Sequence, residues 1–596
     1  MRSLGPAALM VAASAIALWP ALAQRSPESI LPPGFSQPEP AAPAAPTAPK
    51  AGEPASALPA PAQTSGNVAA APTDTLDALA DGVVEDSSNN MTAAVAPVID
   101  LPAQARRSLD RVGVMKVEDG GLGEQAFGST DGRYLSTLMQ RIKAPVASRW
   151  ASILLRRALL SQSASPASVD GADWVAERAW LLLRMGEADM ASALVARVDS
   201  DNFTSRLDAI ALQAALATGD PASLCGIVGP AAGRSNEPSW PLSQAMCSGL
   251  AGESGTASAL VDQVRDSGAA QGIDVLLAEK VVGAATNTRR SVSIQWDGVD
   301  QLTAWRFGLA SATGVAIPPK LFDTNGPQFV AWQARSPLIS PDQRLTAAET
   351  AATLGVFSSA AFVDFVGGVW DEADSPDRSG SLGEQLRAAY SADGESARLS
   401  ALRSIWGDTG AYGREILTAR AAAEFPASKD LSSTDADRLI ASMMSAGLDI
   451  QAARWANSVS SGSLGWAMLA VGAPRPIAGI DASAVKSISG GEDDRRIKFL
   501  LAGLAGLGRL APDQASSLAQ SYDVPLARAD SWTRAIDRAA TAGEAGTVAL
   551  LAAAGMQTRE WRYVPPAYLY HIVSALRRVG LEPEARMIAA EALARA

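Results

Sequence analysis

Between Trp180 and Val198 the chain reads WLLLRMGEADMASALVARV: an apolar run ends at Gly186, a few polar residues follow, and a second apolar run starts at Ala191. Before the glycine, Val175, Ala179, Leu182 and Leu183 recur at i, i+4, i+7 and i+8; after it, Ala191, Leu194, Val195 and Val198 recur at i, i+3, i+4 and i+7. Each set is one stripe of an amphipathic helix. Glycine adopts the left-handed conformation that closes a helix C-terminus without a Cβ penalty. The spacing therefore predicts two helices folded back on each other about Gly186.

The pattern returns along the chain. Gly186, Gly219 and Gly252 are 33 residues apart, and Gly283 follows 31 further on. Five residues after the first three stand Ala191, Leu224 and Ala257; later copies pair Gly355 with Ala360, Gly447 with Ala452, and Gly580 with Ala585. A fixed period of this size marks stacked helical units, with small residues where the second helix must approach the first. In GDPAS, Gly219 to Ser223, proline stands early in a helix, where its missing N–H costs nothing. From SVSIQWDGVDQ, Ser291 to Gln301, to about residue 440 the spacing stretches and the repeats are degenerate.

The turn glycine followed five residues later by alanine, at Gly186 with Ala191, Gly252 with Ala257, and Gly580 with Ala585 followed by Ala592, resembles the tetratricopeptide and Sel1-like repeat superfamily. The aromatic signature of that family's first helix is irregular: Trp180 stands in one unit, Leu216 or Leu250 in others. The whole chain is also similar to exported alphaproteobacterial proteins without an assigned activity. The resemblance implies an all-α fold and a TPR-like solenoid of helical hairpins over residues 145–596, and it carries no activity with it.

The N-terminus sets the compartment. Arg2 precedes an apolar stretch from Leu4 to Trp19, then Pro20 and Ala21-Leu22-Ala23, the small-x-small pattern of a signal-peptide cleavage site. Residues 1–23 read as a signal peptide cut after Ala23, placing the protein in the periplasm. The stretch is too short and too interrupted by Pro6 for a membrane anchor, and no cysteine follows the cut as in a lipoprotein. Residues 24–97 form a Pro/Ala-rich acidic linker expected to be disordered, because Pro removes backbone donors and Ala buries too little to offset ordering. Residues 24–100 hold nine acidic and two basic side chains, a net of −7. Within them ESILPPGF offers Ile30, Leu31 and Phe35 as anchors of a short docking motif on an extended Pro-Pro frame. Residues 98–144, with LPAQARRSLDRVG and YLSTLMQRI, are expected to form an N-terminal helical cap.

Candidate chemistry is sparse. Cys225 and Cys247, the only cysteines, are 22 residues apart on what the pattern makes neighbouring helices of successive hairpins; in an exported protein they are expected to be bonded. A single histidine, His571, rules out paired-histidine metal sites, and it sits in the apolar helical run AYLYHIVSAL. SAVK at Ser483–Lys486 and SDN at Ser200–Asn202 stand in the wrong order for a penicillin-binding enzyme, without KTG. Glu395-Ser396 with Ser404, Gly407 and Gly410 partly matches the lytic transglycosylase motif, but Asp408 and AYG at Ala411–Gly413 break it, and its acid would need an apolar pocket. The acids of GGEDDRRIKF, Gly490 to Phe499, suit a helix start.

The net charge of −12 argues against a nucleic-acid partner, whose phosphates require a basic surface. The expected function is that of a non-enzymatic periplasmic scaffold or adaptor, without cofactor or metal, binding a protein or peptide of the cell envelope in a solenoid groove. The alternative is a protein that binds or cleaves peptidoglycan.

Overall fold

At Gly186 the backbone takes φ +88° and ends the helix Gly171–Arg184, and the helix Ala188–Val195 packs back against it. The Glu187 N–H donates to Leu182 O at 2.9 Å and the Gly186 N–H to Leu183 O at 3.0 Å. This is the paired bonding of a Schellman closure, which satisfies carbonyls the helix leaves open. A Cβ at Gly186 would also stand 2.6 Å from the Ala331 Cβ, so both conformation and space require glycine.

The structure, a computed structural model, describes Pro102 and residues 105–142, 145–286, 292–408, 411–489 and 492–596, all within the unit Asp74–Ala596. Residues 1–23, the whole linker at 24–97 with its Ile30, Leu31, Phe35 motif, and the start of the 98–144 region lie outside the described residues. Among the described residues the fold is helical, with 28 α-helices and one two-stranded ladder.

The helix-ending glycines recur at most of the places the sequence marks, although only the 3-10 turn Pro221–Leu224 follows Gly219. Gly219, Gly252, Gly355, Gly447 and Gly580 all have positive φ at helix ends, and Ala191, Leu224, Ala257, Ala452 and Ala585 are buried; Ala360 is half-buried. Both stripes around Gly186, from Val175 to Val198, are buried. Gly283 is different: it lies inside the helix Ile273–Ala285 and makes no turn. The N-terminal region also departs from an all-helical cap. YLSTLMQR lies in the helix Gly132–Arg141, but Arg111–Val112 is a short strand paired antiparallel with Ser163–Ala164. A Cβ at Gly113 would stand 2.3 Å from Ser161 O, so this ladder depends on backbones in close approach.

The beginning and end of the described chain are joined. The helix Arg149–Leu160 packs against Ala545–Gly555 and Glu582–Ala594. The Glu591 carboxylate accepts from Ser148 Oγ at 2.6 Å, Arg149 N at 2.9 Å and Trp150 N at 3.2 Å, so an anion from the last helix caps the N-terminus of an early one. The buried Arg149 guanidinium donates to Ala352 O, Ser445 O and Phe357 O at 2.8, 3.0 and 3.2 Å. It thereby ties the ends of Pro341–Leu354 and Ser433–Ser445 to the same junction. Repeats that meet only their neighbours make no such contacts.

Arginine plays this part repeatedly. Arg178 donates to Leu159 O, Val112 O and Ser161 O, and burial pushes it down to about 9, still cationic at neutral pH. Arg184 reaches Met139 O and Ile142 O, and Arg509 reaches Ala470 O, Val471 O and Ala473 O. A planar fork of five N–H groups suits the unpaired carbonyls of a helix C-terminus and the negative end of its dipole.

Candidate functional site

An open cleft of about 610 Å³ lies between the helices Gly132–Arg141 and Ser531–Thr541. Both helices begin at an aspartate. The Asp131 carboxylate accepts from the Arg133 and Tyr134 N–H groups, and Asp530 from Thr533, whose hydroxyl accepts in turn from Asp530 N. Leu135 and Met139 face the core from the first helix, which leaves Tyr134, Thr137, Leu138 and Arg141 on the cleft side. From the second, Ile536, Ala539 and Ala540 are buried, while Ser531, Arg534, Ala535 and Arg538 face the cleft.

Trp532 lines the cleft beside Leu551. Its indole N–H donates to Leu551 O at 2.9 Å and its ring stacks on Tyr568 at 4.1 Å between centroids. A Cβ on Gly555 would come within 2.4 Å of that indole, so the glycine makes room for it. The two sides of the cleft are joined at Glu544, which is buried: its carboxylate accepts from Ser129 N at 3.0 Å and from the Thr130 hydroxyl.

The cleft is cationic. Arg141, Arg534 and Arg538 line it, all exposed, and no carboxylate among the described residues does. Among the described residues the one hydrogen bond from these three guanidiniums, Arg534 Nη1 to Ala529 O at 3.3 Å, neutralises no charge. Tyr134, 46% exposed, adds an aromatic surface. A second open cleft, of about 550 Å³, is lined by Asp493, Asp494, Arg495, Lys498, Arg562 and Tyr563. Here the charges offset one another: Arg495 pairs with Asp493, and Arg562 with Glu560. Asp493 and Asp494 both have left-handed backbones ahead of the helix Arg495–Leu507, rather than standing in its first turn.

Cys225 Sγ and Cys247 Sγ lie 2.07 Å apart with their Cα atoms 5.4 Å apart. Cys225 closes the 3-10 turn Pro221–Leu224 rather than standing in a full second helix, and Cys247 is in the helix Ser239–Leu250. His571 is buried in Pro566–Arg578, with Nδ1 3.0 Å from Asp537 Oδ2. Glu395 is exposed at the start of Glu395–Trp406, in no apolar pocket. Ser483 and Lys486 lie in the short helix Ala482–Ser487, and Ser200–Asn202 is a 3-10 turn. Among the described residues no group of His, Cys, Asp and Glu could hold a metal ion. No helix among them is long and apolar enough to cross a membrane.

No sequence motif marks the cleft. Its only local signal was arginine at Arg534 and Arg538, four residues apart opposite an apolar stripe, which reads equally as a solvated helix face. Neither a family model nor a curated protein nor a solved structure matches this chain.

Proposed function

We propose that this chain is an exported, non-enzymatic scaffold: a TPR-like array of helical hairpins in the periplasm that holds a partner protein by an acidic, apolar-bearing peptide in the Tyr134–Trp532 cleft. The observation that carries the reading is the cleft's composition. Arg141, Arg534 and Arg538 present cations with no acid on the lining, beside two aromatic rings. Such a surface attracts carboxylates by charge and apolar side chains by burial, and arginine with tyrosine and tryptophan is the composition of interface hot spots. The bonding distance of Cys225 and Cys247 supports an oxidising compartment.

The test is crosslinking in the cell envelope followed by mass spectrometry, comparing the native protein with an Arg141→Glu, Arg534→Glu, Arg538→Glu variant. The expected result is a partner captured by the native protein and lost from the variant, with the melting temperature unchanged because all three side chains are exposed. Equal recovery of the same partners by both proteins refutes the cleft. Pelleting of both with purified cell-wall sacculi would instead support the peptidoglycan alternative.

A further inference from the structure

Residues 74–86 read DTLDALADGVVED: five carboxylates, no basic side chain, and Leu76, Leu79 and Val83 recurring at three and four residues. No Lys or Arg occurs from residue 51 to residue 105. This is the chemistry the cleft takes, carried by the same chain. We infer that the segment Asp74–Asp86 occupies the Tyr134–Trp532 cleft in cis, its carboxylates facing Arg141, Arg534 and Arg538 and its Leu76, Leu79 and Val83 facing Tyr134, Leu138 and Trp532. The inference rests on the reading of the cleft as a site for an acidic peptide and names the peptide that reaches it first.

Position favours this occupant. Ser165 N donates to Asp110 O, and Gly132 N to Ala167 O, both at 2.8 Å. The first described stretch of chain and the start of the Gly132–Arg141 helix therefore flank the same short segment. Residues 87–104 separate the acidic segment from that point, and 18 residues span up to roughly 60 Å when extended. A tether of this length gives an effective concentration on the order of millimolar, so even a weak site is filled. Charge selects the register loosely: Asp77, Asp81 and Glu85 recur at four-residue steps, as Arg534 and Arg538 do on the facing helix. An external partner must displace the segment, so the scaffold engages only partners that bind more tightly than its own tail or meet it at high local concentration.

The experiment uses the whole protein and a fluorescein-labelled synthetic peptide with the sequence of residues 74–86, followed by anisotropy. Two forms are compared: the native chain, and one with Asp74→Asn, Asp77→Asn, Asp81→Asn, Glu85→Gln and Asp86→Asn. Neutralising the tethered copy should strengthen binding of the added peptide about tenfold, the ratio expected when a millimolar internal competitor is removed from a site of about 100 μM. Adding Arg141→Gln, Arg534→Gln and Arg538→Gln to the neutralised chain should abolish that binding, with circular dichroism unchanged. A photo-crosslinking residue at Leu79 of the native segment should mark peptides from Gly132–Arg141 or Ser531–Thr541. Equal affinity for both forms overturns occupancy in cis and leaves the cleft reading standing. No binding to the neutralised chain, or binding indifferent to the three Gln substitutions, overturns the cleft reading and the inference together.

Discussion

Glu415 is a carboxyl group that the fold holds in the wrong state for its pH. It lies in the helix Tyr412–Ala423, 9% exposed. Burial pushes it from 4.5 up to about 8, against a smaller opposing pull from the Arg438 and Arg595 guanidiniums. A folded-state value above the unfolded one means the native protein holds a proton that the unfolded chain has released. The stability contributed by that proton is present in full below pH 4.5, falls as pH rises, and is gone above about pH 8. The slope is about 1.4 kcal/mol per pH unit, so the group costs on the order of 5 kcal/mol across that window. Glu415→Gln keeps the shape and removes the titration. The variant should match the native protein at pH 4.5 and become progressively more stable above it. For a folded unit of this size the unfolding entropy is about 1 kcal/mol per degree, which makes the gap in melting temperature about 5 °C at pH 8. Calorimetry of both proteins in matched buffers across that range reads the difference, and subtraction removes every other titrating group. A gap that stays constant with pH would show that Glu415 is already ionised at neutral pH and solvated in a way the burial does not indicate.

Other outcomes follow from the same contacts. Reducing the Cys225–Cys247 bond, or replacing both cysteines by serine, should cost about 3 kcal/mol in the loop-entropy account, and thiol titration of the unfolded, unreduced protein should find no free sulfhydryl. Arg149→Ala leaves three carbonyls, two in helix last turns and one in the loop at Phe357, buried without their donor and should cost about 3–5 kcal/mol, read as a large fall in the unfolding midpoint; a loss under 1 kcal/mol would mean that water replaces it. Glu544→Ala frees Ser129 and Thr130 from the opposite side of the cleft, so binding of an acidic peptide should weaken although Glu544 does not line the cleft; unchanged affinity would remove it as a positioning residue. Gly555→Val should displace the Trp532 indole, shift its fluorescence and cost about 1–3 kcal/mol through overpacking, and an unshifted spectrum would count against that contact.

The hairpins were legible because their determinants are local. A glycine ending an apolar stripe, a small residue five positions later and a second stripe specify a turn and two buried faces within some thirty residues, and the chain around Gly186 follows them residue by residue. The same rule shows why Gly283 misleads: the fifth residue after it is Thr288, neither alanine nor leucine, and the glycine belongs to a helix interior. The Arg111–Val112 strand was hidden for another reason. Two residues carry no periodicity, and only the isolated glycine in RVGV hinted that another backbone comes close at Gly113.

What no local pattern encodes is how the ends of the described chain meet. Ser148, Arg149 and Glu591 are ordinary helix residues in the sequence: a serine at a helix start, an arginine in a first turn, a glutamate near a C-terminus. Their partners lie hundreds of residues away, and the junction forms only when the accumulated geometry of every element between them brings the Glu582–Ala594 helix to the start of Arg149–Leu160. The Tyr134–Trp532 cleft inherits that dependence, because one wall comes from each end of the described chain. Its cations are therefore assembled by the fold rather than by a basic stretch of sequence, and this is why a chain with a net charge of −12 still gathers three arginines on one surface. Net charge describes the long-range field of the whole molecule; recognition at contact distance depends on which side chains share a surface once the chain has closed.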